Sequence, residues 1–224
     1  MNKTIVVTGG TKGIGRAIVN KFANEGFKVI TCARTNDEQF PENVLFFKAD
    51  LSKKTEVLAF ADFVKASVSQ VDILVNNTGF FLPGQIHNEA EGTLEAMIET
   101  NLYSAYHLTR ALVQDMIDKK AGYIFNICSV ASIVAYTNGG SYCISKFAML
   151  GMSKVLREEL KPHGVRVTSI LPGATFTNSW AGVELPTERF IASDDIADVI
   201  WAANALPVTT VLEEIVMRPQ LGDL

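Results

Sequence analysis

Tyr142 and Lys146 lie four residues apart in a run that begins with Ser141. Ser141 can cap a helix, and apolar residues follow it with near-helical spacing, so we expect a helix to begin here. Residues four apart share one face of a helix, which places the phenol about one turn from the ammonium. A nearby cation favours the phenolate, and lowering a tyrosine pKa by ~3 units takes ~4 kcal/mol. The pair is a candidate for proton transfer, with the pKa of Tyr142 lowered by Lys146.

Such a pair also occurs by chance in many helices, and Ser129 makes the catalytic interpretation stronger. Ser129 lies thirteen residues before Tyr142 (142 − 129) and follows the mainly apolar run 123–128. That run is typical of a buried strand, and open α/β sheets place their ligands at the carboxyl ends of the strands. The spacing therefore predicts a serine at a strand end facing a tyrosine and a lysine on a helix.

A glycine-rich turn near the N-terminus is a candidate dinucleotide site, although its spacing is Gly-x-x-x-Gly-x-Gly rather than the generic Gly-x-Gly-x-x-Gly. Residues 3–8 are rich in β-forming types, the glycine turn follows at once, and residues 16–23 have a helical pattern that Gly26 ends. Gly9 permits a tight turn, Gly13 lets the backbone approach a pyrophosphate, and Gly15 lets the helix pack on the strand. The pyrophosphate would lie at the helix N-terminus. The alternative is a glycine-rich turn that binds no ligand.

These motifs resemble those of the short-chain dehydrogenase/reductase family, in the family's order and at its usual spacings, as far as about residue 177. The matching segments are Thr8-Gly9-Gly10-Thr11-Lys12-Gly13-Ile14-Gly15, Asp50-Leu51, Asn76-Asn77-Thr78-Gly79, Asn101, Ser129, Tyr142-x-x-x-Lys146 and Pro172-Gly173. One such motif is weak evidence, but the whole set is highly specific.

The resemblance implies a role for each matching residue. Tyr142 exchanges a proton with substrate, Ser129 stabilises the reacting oxygen, Lys146 lowers the pKa of Tyr142 and holds the nicotinamide ribose, and the side chain of Asn101 supports a water relay. Asp50 is implied to bind the adenine amino group, although its alternative is a helix cap, for which Ser52 competes. Thr78 replaces the alanine usual in the family, and its hydroxyl adds a possible hydrogen bond.

The end of the second predicted strand indicates which cofactor is used. Proteins that select NAD usually have an acidic residue there for the ribose 2′-hydroxyl. Here Ala33 takes that place, eighteen residues after Gly15 (33 − 15), and Arg34 follows. Arg34 can pair with a 2′-phosphate, and Lys12 adds a second cation, so we expect NADP(H) rather than NAD(H). The alternative is that both are solvated surface charges, and Asp37 and Glu38 weaken the positive field.

The residues expected to contact the cofactor share the predicted edge of the sheet at which the strands end. They are Gly9, Thr11, Lys12, Gly13, Ile14, Gly15, Arg34, Asp50, Leu51, Asn77, Thr78, Gly79, Tyr142, Lys146, Pro172, Gly173, Thr175 and Thr177.

Three apolar segments are candidates for the substrate pocket. The loop 80–84 either forms a pocket wall or folds back on the core, and residues 133–135 are candidates for substrate contact. The resemblance assigns the short loop 178–192, with Trp180, to a substrate lid.

Alternating strands and helices predict an α/β fold over residues 1–224 as a single domain: a Rossmann-like, doubly wound parallel sheet of about seven strands with helices on both faces. Strands are expected at 3–8, 27–32, 44–49, 71–75, 123–128, 165–171 and 211–216, and helices at 16–23, 55–69, 93–119, 142–161 and 196–205.

Composition excludes several other classes. The net charge of −4 argues against nucleic acid as a partner, and no apolar run approaches the ~20 residues of a membrane span. The N-terminus leaves no room for a signal peptide before the first strand. Three scattered cysteines suit neither a disulfide framework nor a zinc site, so we expect no metal and a reducing, cytoplasmic location. Cys128 and Cys143 are expected near the site, as unreactive buried thiols rather than reactive ones.

We therefore expect an NADP(H)-dependent oxidoreductase that interconverts a carbonyl and an alcohol in a small-molecule substrate. A homodimer or homotetramer is expected, with the helices 93–119 and 142–161 packing on their symmetry mates through Leu102, Ala105, Leu108, Phe147 and Leu150. The alternatives are a non-catalytic dinucleotide-binding regulator and an epimerase or dehydratase of nucleotide sugars, for which 224 residues leave no substrate domain.

Overall fold

A seven-stranded parallel sheet lies at the centre of the computed structural model, which describes residues 3–36, 39–177 and 185–224. The strand order is β3-β2-β1-β4-β5-β6-β7. The strands are β1 Thr4–Thr8, β2 Lys28–Ala33, β3 Val44–Lys48, β4 Ile73–Asn76, β5 Gly122–Ile127, β6 Val165–Pro172 and β7 Glu214–Met217. The helices are α1 Gly13–Asn24, α2 Lys54–Ser67, α3 Thr93–Ile98, α4 Ser104–Lys119, α5 Gly140–Leu160 and α6 Ser193–Ala205. This architecture confirms the predicted Rossmann-like fold.

Helices cover both faces of the sheet because its central strands are apolar on both faces. In β1, Ile5 and Val7 pack in one core with α1 and α6, whereas Val6 packs in a second core with α2 and α4. All three side chains are fully buried. The sheet is thus packed between two layers of helices. The loops that follow its strands meet at the carboxyl edge, where open α/β sheets bind their ligands.

The predicted helix over 93–119 contains a π-helical turn at Glu99–Tyr103, between α3 and α4. The helical period alone cannot show this turn. The side chain of Asn101 hydrogen-bonds the backbone of Phe80 in the loop after β4, and this contact accompanies the extra residue in the turn.

Other boundaries differ from prediction by one to three residues. α1 begins at Gly13 rather than Arg16, inside the glycine turn, and α5 begins at Gly140, so Tyr142 lies in its first turn. β7 begins at Glu214 rather than Val211. No helix within the described ranges is long and apolar enough to cross a membrane.

Candidate active site

The glycine turn after β1 is packed too closely to accept side chains. Gly9 has a φ of 69° and donates its N–H to the carbonyl of Cys32 at 2.9 Å. A Cβ on Gly15 would overlap the carbonyl oxygen of Gly9 and lie 2.5 Å from the side-chain nitrogen of Asn77. Lys12 has an extended backbone, and α1 begins one residue later without a side-chain cap. The residue before α1 thus offers no side-chain acceptor to the first N–H groups of this helix, which suits a phosphate.

The loop after β4 is tied to this turn by Thr8, which sequence reasoning missed. The Thr8 hydroxyl accepts the N–H groups of Asn77 at 2.9 Å and Thr78 at 3.0 Å. The side chain of Asn77 donates to the Thr8 carbonyl at 2.8 Å. Asn77 thus joins β4 to the glycine turn through its side chain. The hydroxyl of Thr78 faces Gly9, where a Cβ would lie 3.1 Å from it.

The segment after β6 reaches the same turn from the other side. A Cβ on Gly13 would lie 3.0 Å from Cγ2 of Thr177. Gly173 donates its N–H to the Met217 carbonyl at 2.8 Å, and the hydroxyl of Thr175 donates to the Gly173 carbonyl at 3.0 Å. The predicted pyrophosphate and nicotinamide segments therefore lie side by side.

At the other end of this edge, Arg34 is exposed and lies near the half-buried Asp50. Although burial acts to raise the pKa of Asp50, hydrogen bonds from Ser52 and the charges of Lys53 and Arg34 hold it below its ordinary value. Ser52 donates both its N–H and its hydroxyl to Asp50. The sequence suggested Ser52 as a cap for α2, but the residue at the cap position is Lys53. Asp37 and Glu38 lie outside the described residues.

Tyr142 lies half-buried in the first turn of α5, with its ring 4.9 Å from that of Phe81. Ser129, at the end of β5, is 8% exposed, and its hydroxyl interacts with the phenol of Tyr142. Burial raises the pKa of Tyr142 to about 12, and the hydrogen bond with Ser129 offsets only part of that rise. The expectation that Lys146 lowers the pKa of Tyr142 is therefore wrong for the protein without bound cofactor.

Lys146 explains this difference because its ammonium is directed elsewhere. Its Nζ donates to the carbonyl of Ile127 at 2.9 Å and lies 5.8 Å from the centre of the Tyr142 ring. Lys146 is only 5% exposed, and burial lowers the pKa of its ammonium. A Cβ on Gly79 would lie 3.6 Å from this Nζ, which places Lys146 beside the loop expected to line the ribose.

Asn101 lies within the same group but uses its side chain to hold the backbone. Its amide oxygen accepts the N–H of Phe80 at 2.9 Å, and its amide nitrogen donates to the Phe80 carbonyl at 3.0 Å and to the Ser145 hydroxyl at 2.9 Å. Both amide hydrogens are therefore used within the protein. Any part of Asn101 in a water relay falls to its amide oxygen or its main chain.

An open apolar cavity of about 620 Å³ lies beside the start of α5. The loop after β4 and the loop before α5 meet there through a bridge between Gly84 and Gly139. The larger side chains lining it include Ile86, Tyr136, Ile144 and Phe147. Of the predicted substrate contacts, Ala135 lines this cavity, whereas Ile133 and Val134 are 41% and 49% exposed. Trp180 lies outside the described residues.

The thiols near the site are buried. Burial raises the pKa of Cys128 to about 11, so this thiol is protonated at neutral pH, and Cys143 is also buried. Within the described ranges, no group of three or more His, Cys, Asp or Glu side chains is placed to hold a metal ion. His107 packs against the rings of Tyr103 and Tyr106, outside the group around Tyr142.

The chain belongs to the short-chain dehydrogenase family, whose model matches residues 3–186. It is 32% identical to a sepiapterin reductase of Chlorobaculum tepidum, over 100% of this chain and 99% of that protein. It is 29% identical to the NADP-dependent 3-hydroxy acid dehydrogenase YdfG of Salmonella typhi, over 96% and 94% of the two chains. The crystal structure of an alcohol dehydrogenase from Thermococcus sibiricus, complexed with 5-hydroxy-NADP, has a TM-score of 0.90 at 26% identity and covers 98% of this chain and 97% of its own. The protein is thus an oxidoreductase of this family.

Proposed function

We propose that the protein interconverts a carbonyl and an alcohol in a small molecule by hydride transfer, with NADP(H) as its cofactor and Tyr142 as its proton donor and acceptor. The observation that supports this most is the convergence of Ser129, Tyr142 and Lys146, with Lys146 beside Gly79 in the loop that Thr8 ties to the glycine turn. The three come from two elements, and their positions agree with the spacing of the motifs.

In the reductive direction, the phenol of Tyr142 gives its proton to the substrate oxygen while hydride reaches the carbon. Bound NADPH supplies that hydride. The hydroxyl of Ser129 hydrogen-bonds the same oxygen and stabilises its growing negative charge. Lys146 holds the nicotinamide ribose, and its buried positive charge stabilises the phenolate that remains when Tyr142 has given up its proton. Asn101 keeps the loop around Phe80 in place.

The direct test is Tyr142→Phe, which removes only the phenolic oxygen. We expect kcat to fall about 10²- to 10⁴-fold, as for loss of a general acid, while NADPH still binds. Steady-state rates on a panel of aldehydes, ketones, β-keto thioesters, pterin diketones and 3-hydroxy acids, with NADPH binding followed by fluorescence, measure both quantities.

The matched control is Tyr103→Phe, which makes the same change on an exposed tyrosine of the π-helical turn. This variant is expected to keep full activity. Retention of more than a tenth of the wild-type kcat by Tyr142→Phe removes Tyr142 from the proposed role. Lys146→Ala, in contrast, is expected to impair both NADPH binding and turnover.

The preference for NADP(H) is proposed from Arg34 and supported by the cofactors named for the relatives. Arg34 is exposed at the end of β2, where Ala33 presents no carboxylate to repel a 2′-phosphate. We expect kcat/KM to be higher with NADPH than with NADH, and Arg34→Ala to reduce that ratio about tenfold or more, as for loss of a charge-assisted hydrogen bond.

Lys65→Ala is the matched control for this experiment, because it removes one positive charge from the exposed side of α2. It is expected to leave the ratio of kcat/KM values unchanged. Equal kcat/KM values for NADPH and NADH in the wild type would contradict the preference. An unchanged ratio in Arg34→Ala would contradict its assignment to Arg34.

A further inference from the structure

The helix that carries Tyr142 is capped by a carboxylate from a distant loop. The side chain of Glu89 accepts the backbone N–H of Ser141 at 2.9 Å and, with its other oxygen, the Ser141 hydroxyl. The local cap residue of α5 is Gly139, which has no side chain to offer. The free N–H groups at the start of a helix need acceptors, and Glu89 supplies one from fifty-two residues away.

The backbone around Glu89 is shaped to receive this side chain. A Cβ on Gly84 would lie 2.6 Å from Cγ of Glu89, and a Cβ on Gly140 would overlap its Oε1. Two glycines, one in the loop after β4 and one at the first position of α5, thus leave the space that the carboxylate fills. Any larger residue at either position displaces Glu89 from the helix.

Further contacts join the same two loops. Gly84 donates its N–H to the Asn138 carbonyl at 3.0 Å, and the side chain of Gln85 donates to that of Asn138 at 2.9 Å. The N–H of Glu89 bonds back to the Gln85 carbonyl at 2.9 Å, so the loop turns toward the helix. Phe81, earlier in this loop, contacts the Tyr142 ring.

We propose that Glu89 is a positioning residue for the reaction: its carboxylate fixes the first turn of α5 and thereby holds the phenol of Tyr142 at its working distance from Ser129. The proposal rests on the proposed role of Tyr142. Tyr142 follows Ser141 directly, so a shift of the Ser141 backbone moves the phenol. A misplacement of ~1 Å at a reacting group can cost up to about a hundredfold in rate.

The test combines a structural and a kinetic measurement on Glu89→Ala, Glu89→Gln and Glu91→Gln. Hydrogen exchange at residues 140–145, followed by mass spectrometry, reports whether the first turn of α5 is held, and it needs no substrate. Steady-state kinetics with NADPH and an accepted carbonyl, at a temperature well below unfolding, report kcat and KM separately. Glu91 is exposed in the same loop, so Glu91→Gln is the matched control.

We expect Glu89→Ala to speed exchange at 140–145 about tenfold and to lower kcat about ten- to hundredfold, with little change in the KM for NADPH. Glu89→Gln keeps one acceptor oxygen, so its values are expected to lie between those of Glu89→Ala and wild type. Glu91→Gln is expected to match wild type in both measurements. If Glu89→Ala does not fold, Glu89→Gln decides the question by the same two measurements.

Two results overturn the proposal: unchanged exchange at 140–145, or faster exchange with an unchanged kcat. The second result leaves Glu89 with a purely structural role. If Tyr142→Phe remains active, the proposed function fails instead, while the exchange data still show whether Glu89 holds the start of α5. The two failures are therefore distinguishable.

Discussion

At the scale of single residues, the protonation state of Tyr142 follows from burial more than from Lys146. The ring of Tyr142 packs against Phe81, and the ammonium of Lys146 donates its hydrogen bond to the Ile127 carbonyl. We expect Tyr142 to remain a phenol up to about pH 10 in the protein without cofactor, because burial raises its pKa to about 12.

This expectation is checked by the ultraviolet absorbance of phenolate in wild type minus Tyr142→Phe. A tyrosine with an ordinary pKa is half ionised near pH ~10. Because the pKa of Tyr142 is raised, we expect wild type and Tyr142→Phe to show the same phenolate absorbance at that pH. Phe81→Ala admits water to the ring and is expected to lower the midpoint. A midpoint below about pH 9 in the wild type would show that Lys146 dominates after all.

The positions of the candidate catalytic residues were predictable because each follows from a motif that is short in sequence. Ser129, Tyr142 and Lys146 were placed by a strand end and a four-residue helical period. The pKa of Tyr142 was not predictable, because it depends on the rings and carbonyls that tertiary packing brings around it. Glu89 was missed for the same reason: its partner Ser141 is remote in sequence, and a glutamate in a loop has no local signature.

At the scale of elements, the π-helical turn couples the helix pair α3–α4 to the loop after β4. The buried Asn101 makes two hydrogen bonds there, both with Phe80, and a third with Ser145 in α5. Asn101→Ala leaves the N–H and carbonyl of Phe80 without that partner, which is expected to cost about 2–4 kcal/mol of the free energy of unfolding. It is also expected to lower kcat, because this loop contacts Tyr142.

Urea unfolding at neutral pH measures the loss of stability. Asn20→Ala, on the exposed side of α1, is the control and is expected to change stability by less than about 0.5 kcal/mol. An Asn101→Ala protein as stable as wild type would mean that the turn holds itself without this side chain.

The order of the elements was predictable from periodicity, whereas the ends of several were not. Helix α1 starts three residues earlier than its apolar pattern, at Gly13, whose φ of 53° lies in the left-handed region that glycine tolerates. The π-helical turn has no signal in the sequence beyond an asparagine within a helix, and the contact that accompanies it joins Asn101 to Phe80, twenty-one positions away.

At the scale of the whole molecule, the described residues leave an apolar face exposed across α4 and α5. Tyr103, Tyr106, Phe147 and Val155 are 48%, 41%, 46% and 55% exposed, and a groove of about 550 Å³ lies between the helices. Three members of the predicted dimer face, Ala105, Leu108 and Leu150, are instead buried in the chain's own cores. The helical period alone could not distinguish the apolar residues that face the chain's own core from those that face outward.

We predict an isologous dimer through this exposed face, because contiguous exposed apolar area on a helix pair is typical of an interface. Light scattering at micromolar concentration should give at least twice the chain mass of 24.4 kDa. Val155→Glu should reduce the mass to that of a monomer, whereas Leu58→Glu, an exposed position on α2, should not. A monomeric wild type would contradict the prediction.

The place of β1 in the middle of the sheet also bears on how the chain folds during synthesis. β1 pairs on one side with β2, whose partner residues follow by twenty-four positions (28 − 4), and on the other with β4, whose partners follow by sixty-eight (73 − 5). One edge of this strand, whose centre is Ile5, Val6 and Val7, thus stays open until about a third of the polypeptide has been made. Parallel pairing over such separations is slow. The emerging chain is therefore most prone to aggregate in the interval before β4 arrives, and a chaperone that shields Ile5, Val6 and Val7 would act in that interval.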